Sequence, residues 1–309
     1  MQATFGTWHA AATLLLIFLG AGYARGWRRL HRVDPALANP WRALAFAAAL
    51  LLVGLALIWP LPGWSVYLLT ARSLQKALLC MLAAPLFWLA CPVHIFVWGH
   101  RGWSRRGLVW LHGHGWASRA LRSMTQPMAA WFGFVALFLL WHDPASAQFL
   151  LDEGWAHHAA AWLLGASALL FWSHVVGTGP RLHPSFPAWL LLIYLLGAEI
   201  ANMVAGITIA FTLEPIYAHY PALRLQLGEA SLPLSAPIDQ MTAGAVIWVF
   251  GSIVYIFGMM FVLHALFRRA GSTAPEPLPN WDSHENFIAP GLEHRVVPHR
   301  HKKSDDRSR

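Results

Sequence analysis

The residues of this chain that could ligate, ionise or carry a proton fall in a few tight groups. They are Arg72 and Lys76; His142 and Asp143; Asp152, Glu153, His157 and His158; Glu214, Tyr217, His219 and Tyr220; and Asp239 with Gln240. Imidazole binds metals and titrates near neutrality. A carboxylate beside it can take up a proton or pair with a cation. His142, Asp143 and His157 are therefore competent for acid–base work, but their spacing fits no known mechanism. There is no Walker loop, HExxH, CxxC or GxSxG pattern, and nothing selects two histidines as haem ligands. Each group also has a plain structural reading. Asp143 and Asp239 suit helix starts, where Asp accepts backbone N–H bonds. His157 and His158 open an apolar run, and Lys76 has the reach to snorkel outward. His94, His100, His174 and His264 are scattered toward the other ends of the runs. His264 with Met260 is an i, i+4 pair, which is too little for a metal site.

The elements that must position these groups are membrane helices. The chain has 309 residues, 57% hydrophobic and only 12% charged, about half the charged share of a soluble domain. The mean hydropathy is +0.46. A bilayer core of about 30 Å takes about 20 apolar residues as a helix. Seven runs qualify: Gly6–Tyr23, Trp41–Trp59, Ser73–Trp98, Pro127–Trp141, Trp155–Val176, Ala188–Phe211 and Ile238–Phe267. Lipid leaves backbone polar groups no partner but the chain itself, so these runs are helical. The expected architecture is an all-α polytopic bundle of about seven transmembrane helices over 1–270. A basic, Pro-rich cytoplasmic tail at 271–309, of disordered composition, follows it.

Lys and Arg set the direction. One side of the membrane receives Arg25, Arg28, Arg29, Arg32 and Arg42, then Arg101, Arg105, Arg106, Arg119 and Arg122, then Arg181 and the tail. The other receives Arg72 and Arg224, with Lys76 at a helix mouth. By the positive-inside rule the C-terminus is cytoplasmic, the N-terminus external, and the candidate residues lie at the outer rim. The first run has its charges after it, the layout of an N-out anchor and not of a cleaved signal. The net charge of +8 sits in blocks beside apolar runs, which points to anionic lipid and not to nucleic acid. The Trp-rich basic stretch Arg101–Met124 reads as an interfacial helix. Val176-Gly177-Thr178-Gly179-Pro180 reads as a turn and not a phosphate cradle. Cys80 and Cys91 share one run and, on a continuous helix, are too far apart to bridge.

Three separated stretches carry a family resemblance. The first is Leu78-Leu79-Cys80-Met81-Leu82-Ala83-Ala84-Pro85-Leu86, followed by Cys91-Pro92. The second is Trp141-His142-Asp143-Pro144, then His157, then Leu169-Leu170-Phe171-Trp172. The third is Pro237-Ile238-Asp239-Gln240 with Gly244 and Trp248, preceded by Tyr217-Ala218-His219-Tyr220. Together, over about residues 40 to 267, they resemble the CtaG-like cytochrome c oxidase assembly factors, whose last span opens with DQ-x-x-x-G-x-x-x-W. The chain looks like a divergent member. Arg72 and Lys76 stand where the family places two histidines one turn apart, and Ala161 stands where a second histidine would follow His157. The resemblance implies a role in building cytochrome c oxidase in a bacterial plasma membrane. It also implies contact with an oxidase subunit and help in bringing copper to it. His142 and His157 are the metal candidates that remain.

The residue pattern leaves three readings open. One is a non-enzymatic assembly factor, as the resemblance implies. In this reading Asp239 could pair across the rim with Lys76 or Arg72, making a salt-bridged scaffold of what would be a metal cup. A membrane transporter for a metal ion or small solute is the alternative; it lacks a visible internal repeat and paired broken helices. A membrane enzyme built on His142, Asp143 and His157 is the third.

Overall fold

Every run expected to cross the membrane is helical in the computed structural model, which describes residues 2–99, 102, 106, 115–178, 186–228 and 232–272; these contain no strand. Five helices are long and apolar enough to span a bilayer, or seven if two bent pairs each count as one crossing. The long helix α1 (Gln2–His31) packs against α2 (Pro40–Leu57). Helix α2 starts where Asn39 accepts the backbone N–H of Trp41 and Pro40 takes the first helical position. A short α3 (Leu61–Trp64) leads to α4 (Leu69–Ala77).

The third crossing is a broken helix. Helix α4 passes into a π turn (Leu78–Ala83) and then α5 (Ala84–Leu89); after Cys91 the chain bends by 54° into α6 (Pro92–Gly99). Pro85 and Pro92 explain both irregularities, because proline has no N–H to continue a helical ladder. In the π turn Ala84 N–H donates to Leu79 C=O, so the next donor in that pattern would be Pro85, which has none. The Cys80 carbonyl is thereby left over, and Trp172 Nε1–H donates to it at 2.7 Å. Two further indoles tie neighbouring helices in the same way. Trp88 Nε1–H donates to Leu169 O at 2.7 Å, and Trp131 Nε1–H to Tyr194 O at 2.8 Å.

The fourth crossing is also bent. Helix α7 (Trp116–Met124) meets α8 (Pro127–His142) at 67°. The described part of the Arg101–Met124 stretch is therefore helical near its end, while Trp103, Arg105, Leu108, Trp110 and Leu111 lie outside the described residues, as do Arg181 and the tail from Thr273. Helix α9 (Pro144–Asp152) turns back beside α10 (Gly154–Val176). Helix α10 ends on Gly177, whose φ of 66° is the left-handed conformation glycine supplies without strain. Thr178 Oγ1 then donates to Trp88 O, while Gly179 and Pro180 lie outside the described residues.

Helices α11 (Ala188–Phe211), α12 (His219–Leu227), α13 (Ala236–Ala245), a second π turn (Val246–Phe250) and α14 (Gly251–Ser272) complete the chain. Helices α11 and α13 approach at backbone distance. A Cβ on Gly244 would lie 2.4 Å from Ala210 N and 2.6 Å from Gly206 O, and one on Gly206 would lie 2.6 Å from Trp248 N. Only glycine permits that contact, the small-residue packing that membrane helices use. Residues Met1–Ala265 form one compact unit; Leu266–Arg309 form a second, of which the described part is the end of α14.

Candidate functional site

One end of the bundle gathers nearly all of the candidate residues: the start of α4, the end of α8, the starts of α10 and α13, and the loop with α12 between α11 and α13. This is the end that the Lys/Arg pattern assigns to the outside.

Asp239 and Gln240 act as a joint. Asp239 Oδ2 accepts Leu69 N–H and Oδ1 accepts Thr70 N–H, each at 2.9 Å, while Thr70 Oγ1 donates back to Asp239 O at 3.0 Å. The carboxylate therefore caps α4 from another crossing, where the helix start is electropositive. Its cationic partner is Arg224, Nη2 to Oδ2 at 3.3 Å, and not Lys76 or Arg72 as the sequence suggested. Arg224 also donates to Leu234 O, which seats it on α12 within reach of α13. Gln240 secures the loop after α11: Nε2 donates to Thr212 O at 2.9 Å and Glu214 O at 3.1 Å, and Oε1 accepts Ile216 N–H at 3.0 Å. With Gly244 against Ala210 and Trp248 edge-on to Phe211 at 6.0 Å, all four signature residues hold helices together.

The tyrosine stretch extends the joint. Tyr217 Oη donates to His142 O at 2.8 Å and Tyr220 Oη to Ser65 O at 3.0 Å; His219 Nε2 meets Val66 O at 3.1 Å. Burial pushes the Tyr217 phenol up to about 12, and pushes Tyr220 up as well, so both remain neutral donors. Asp143 is a local cap, accepting Ser146 N–H at 2.9 Å at the start of α9. That bond holds its carboxyl below the ordinary range.

Arg72 and Lys76 form a different corner. Both are buried, at 1% and 4% exposure, so Lys76 does not snorkel. Lys76 Nζ lies 2.6 Å from His142 Nε2. His142 Nδ1 lies 2.7 Å from Phe138 O, an acceptor only, so Nδ1 carries the proton and Nε2 accepts from Lys76. Arg72 Cζ and Lys76 Nζ stand 5.0 Å and 5.9 Å from the ring of Trp141, within cation–π range. Arg72 Nη1 and Nη2 have no hydrogen-bond partner among the described residues.

The histidines meet aromatic neighbours. His157 lies 5.6 Å from Trp141 and 5.6 Å from His158, ring to ring, and His158 is 5.6 Å from His9 of α1. His9 was not among the sequence candidates, because an isolated histidine near the start of an apolar run carries no signal. Glu199 was missed too, although it is the one charged residue within α11. It accepts from Ser252 Oγ of α14 and, at 3.3 Å, from Asn202 Nδ2 one turn along α11 itself.

These residues do not fit a copper ion. No group of three or more His, Cys, Asp or Glu among the described residues could hold a metal. Both nitrogens of His142 are engaged, one of them by a lysine. Ala161 is buried at 1% exposure and supplies no donor. Two cations beside the ring would repel a third.

Comparison with known proteins adds one finding. The family model described as cytochrome c oxidase caa3 assembly factor (Caa3_CtaG) matches residues 21–269. No curated protein matches the chain, and no solved structure does.

Proposed function

From the premise that this chain belongs to the cytochrome c oxidase caa3 assembly factor family, we propose that it serves oxidase assembly as a membrane scaffold that does not carry copper at this rim. One observation carries the second half: Lys76 Nζ occupies the 2.6 Å position at His142 Nε2 that a metal would need. Lysine offers a metal no lone pair while it is charged. The scaffold works without chemistry of its own, in a bacterial plasma membrane, and an oxidase subunit is the partner.

Deleting the gene in its host tests this reading. Membrane cytochrome c oxidase activity is expected to fall, and added copper is expected not to restore it. Restoration by copper would return the protein to copper delivery. Unchanged activity in a strain with no second copy would remove the assembly role.

A further inference from the structure

The outer-rim corner around Arg72 holds more positive charge than its surroundings answer. Arg72 and Lys76 are one turn apart on α4, buried, and both within 6 Å of one indole. Two acids at this end of the bundle, Asp239 and Asp143, are already committed. Asp239 has both oxygens on the start of α4 and one of them on Arg224. Asp143 turns to Ser146 N–H at the surface. The phenols of Tyr217 and Tyr220 donate to backbone carbonyls, and the Tyr220 oxygen, a neutral acceptor, faces Arg72. No acid among the described residues bonds to Arg72 or Lys76.

The groups beside them are hydrogen-bond donors, or polar atoms able to donate. Arg72 Nη1 and Nη2, Trp141 Nε1 and His157 Nε2 are all buried without a hydrogen-bond partner among the described residues. An unsatisfied buried donor costs about 1–3 kcal/mol, more for a charged one, and this corner holds several. Lys76 donates one hydrogen bond to His142 and has two further N–H groups able to donate. A region rich in donors and short of acceptors is complementary to one chemical class.

We propose that Arg72 and Lys76, with Trp141 Nε1–H beside them, form a binding site for a small monovalent anion, a halide or a single carboxylate. The arginine fork grips it and the lysine supplies the second charge. The carboxylate can come from a free small anion or from an acidic side chain of a protein partner; the chemistry is shared. This inference is independent of the assembly role.

The test uses the full-length protein in neutral detergent. Thermal unfolding is followed at fixed ionic strength in the sodium salt of a bulky sulfonate buffer, which is neither halide nor carboxylate, replaced stepwise by chloride, bromide or formate, and separately by N-acetyl-aspartate amide. Binding raises the folded-to-unfolded ratio by 1 + [L]/Kd, about a hundredfold at one hundred times Kd. The expected result is a saturable rise in Tm, lost in Arg72→Gln, weakened in Lys76→Met and kept in Arg119→Gln, whose side chain is exposed on α7. A response to the small ions alone identifies a free anion as the ligand; a response to the aspartate amide identifies a protein carboxylate. A Tm that follows ionic strength only, or an anion response that survives Arg72→Gln, overturns the site. If Arg72→Gln does not fold, anomalous diffraction from bromide-soaked wild-type crystals decides. A peak at hydrogen-bonding distance from Arg72 supports the site, and no peak there overturns it.

Discussion

Arg224 and Arg72 are two arginines at the same end of one bundle, buried at 2% and 1% exposure. The first has a carboxylate and a backbone carbonyl on its guanidinium. The second has an indole face, the neutral Tyr220 phenol and two Nη atoms without a partner among the described residues. Around Arg224 both Nη atoms are answered and only Nε lacks a partner among the described residues, so α4, α12 and α13 meet through Asp239. Around Arg72 the same kind of charge has been placed without an answering acid. Burying a charge is tolerated when it is paired and strongly unfavourable otherwise. The Arg224 corner is therefore explained by the fold alone. The Arg72 corner is not, and that difference marks it as the part of the rim available for function.

Three substitutions test the contrast. The largest effect belongs to Asp239→Ala, which strands Arg224 and uncaps α4. Breaking a buried pair from one side costs about 3–5 kcal/mol. A large drop in Tm in detergent is expected, largely relieved by a second change, Arg224→Met. If the double variant were as unstable as the single one, the pair would not be what holds the joint. Lys76→Met should behave in the opposite sense. In the bulky sulfonate salt, with no halide or carboxylate to answer the charge, removing a buried cation that has no acid partner leaves Tm unchanged or raises it. A fall comparable with that of Asp239→Ala would place Lys76 in the same class as Arg224 and end the contrast.

The smallest effect is that of Asp143→Ala at the exposed start of α9. Its folded carboxyl is held low, so the stability it adds is fully present above the ordinary value near 3.8 and is lost as pH falls through the folded value. The variant should melt slightly below wild type at neutral pH, and the gap should close in acid. A gap independent of pH would assign the effect to packing.

The crossings were legible because a bilayer imposes a length and a polarity that few other constraints imitate. The third crossing shows the limit. Pro85 and Pro92 are visible as helix breakers, but that Trp172 collects the Cys80 carbonyl is a relation spanning many residues. The Asp239-Gln240 pair was legible as a landmark and misread as to partner. Its main contacts are Leu69 N–H, Thr70 N–H and the carbonyls of Thr212 and Glu214, and backbone atoms leave no trace in residue type. Arg224 counted first as a topology charge, which concealed its role as a counterion. Arg72 and Lys76 were visible as departures from a histidine pattern, whereas their inward orientation required the neighbouring helices to be in place.

The three indole ties between crossings have a consequence for how this protein can drift over generations. Trp88, Trp131 and Trp172 each supply a side chain, while Leu169, Tyr194 and Cys80 supply only a carbonyl. The dependence is one-sided. The acceptor positions are free to change their side chains as far as these bonds are concerned, but the donors are not. Aligned relatives should therefore hold the tryptophans and vary opposite them, so a search for paired substitutions would overlook three of the contacts that join its helices.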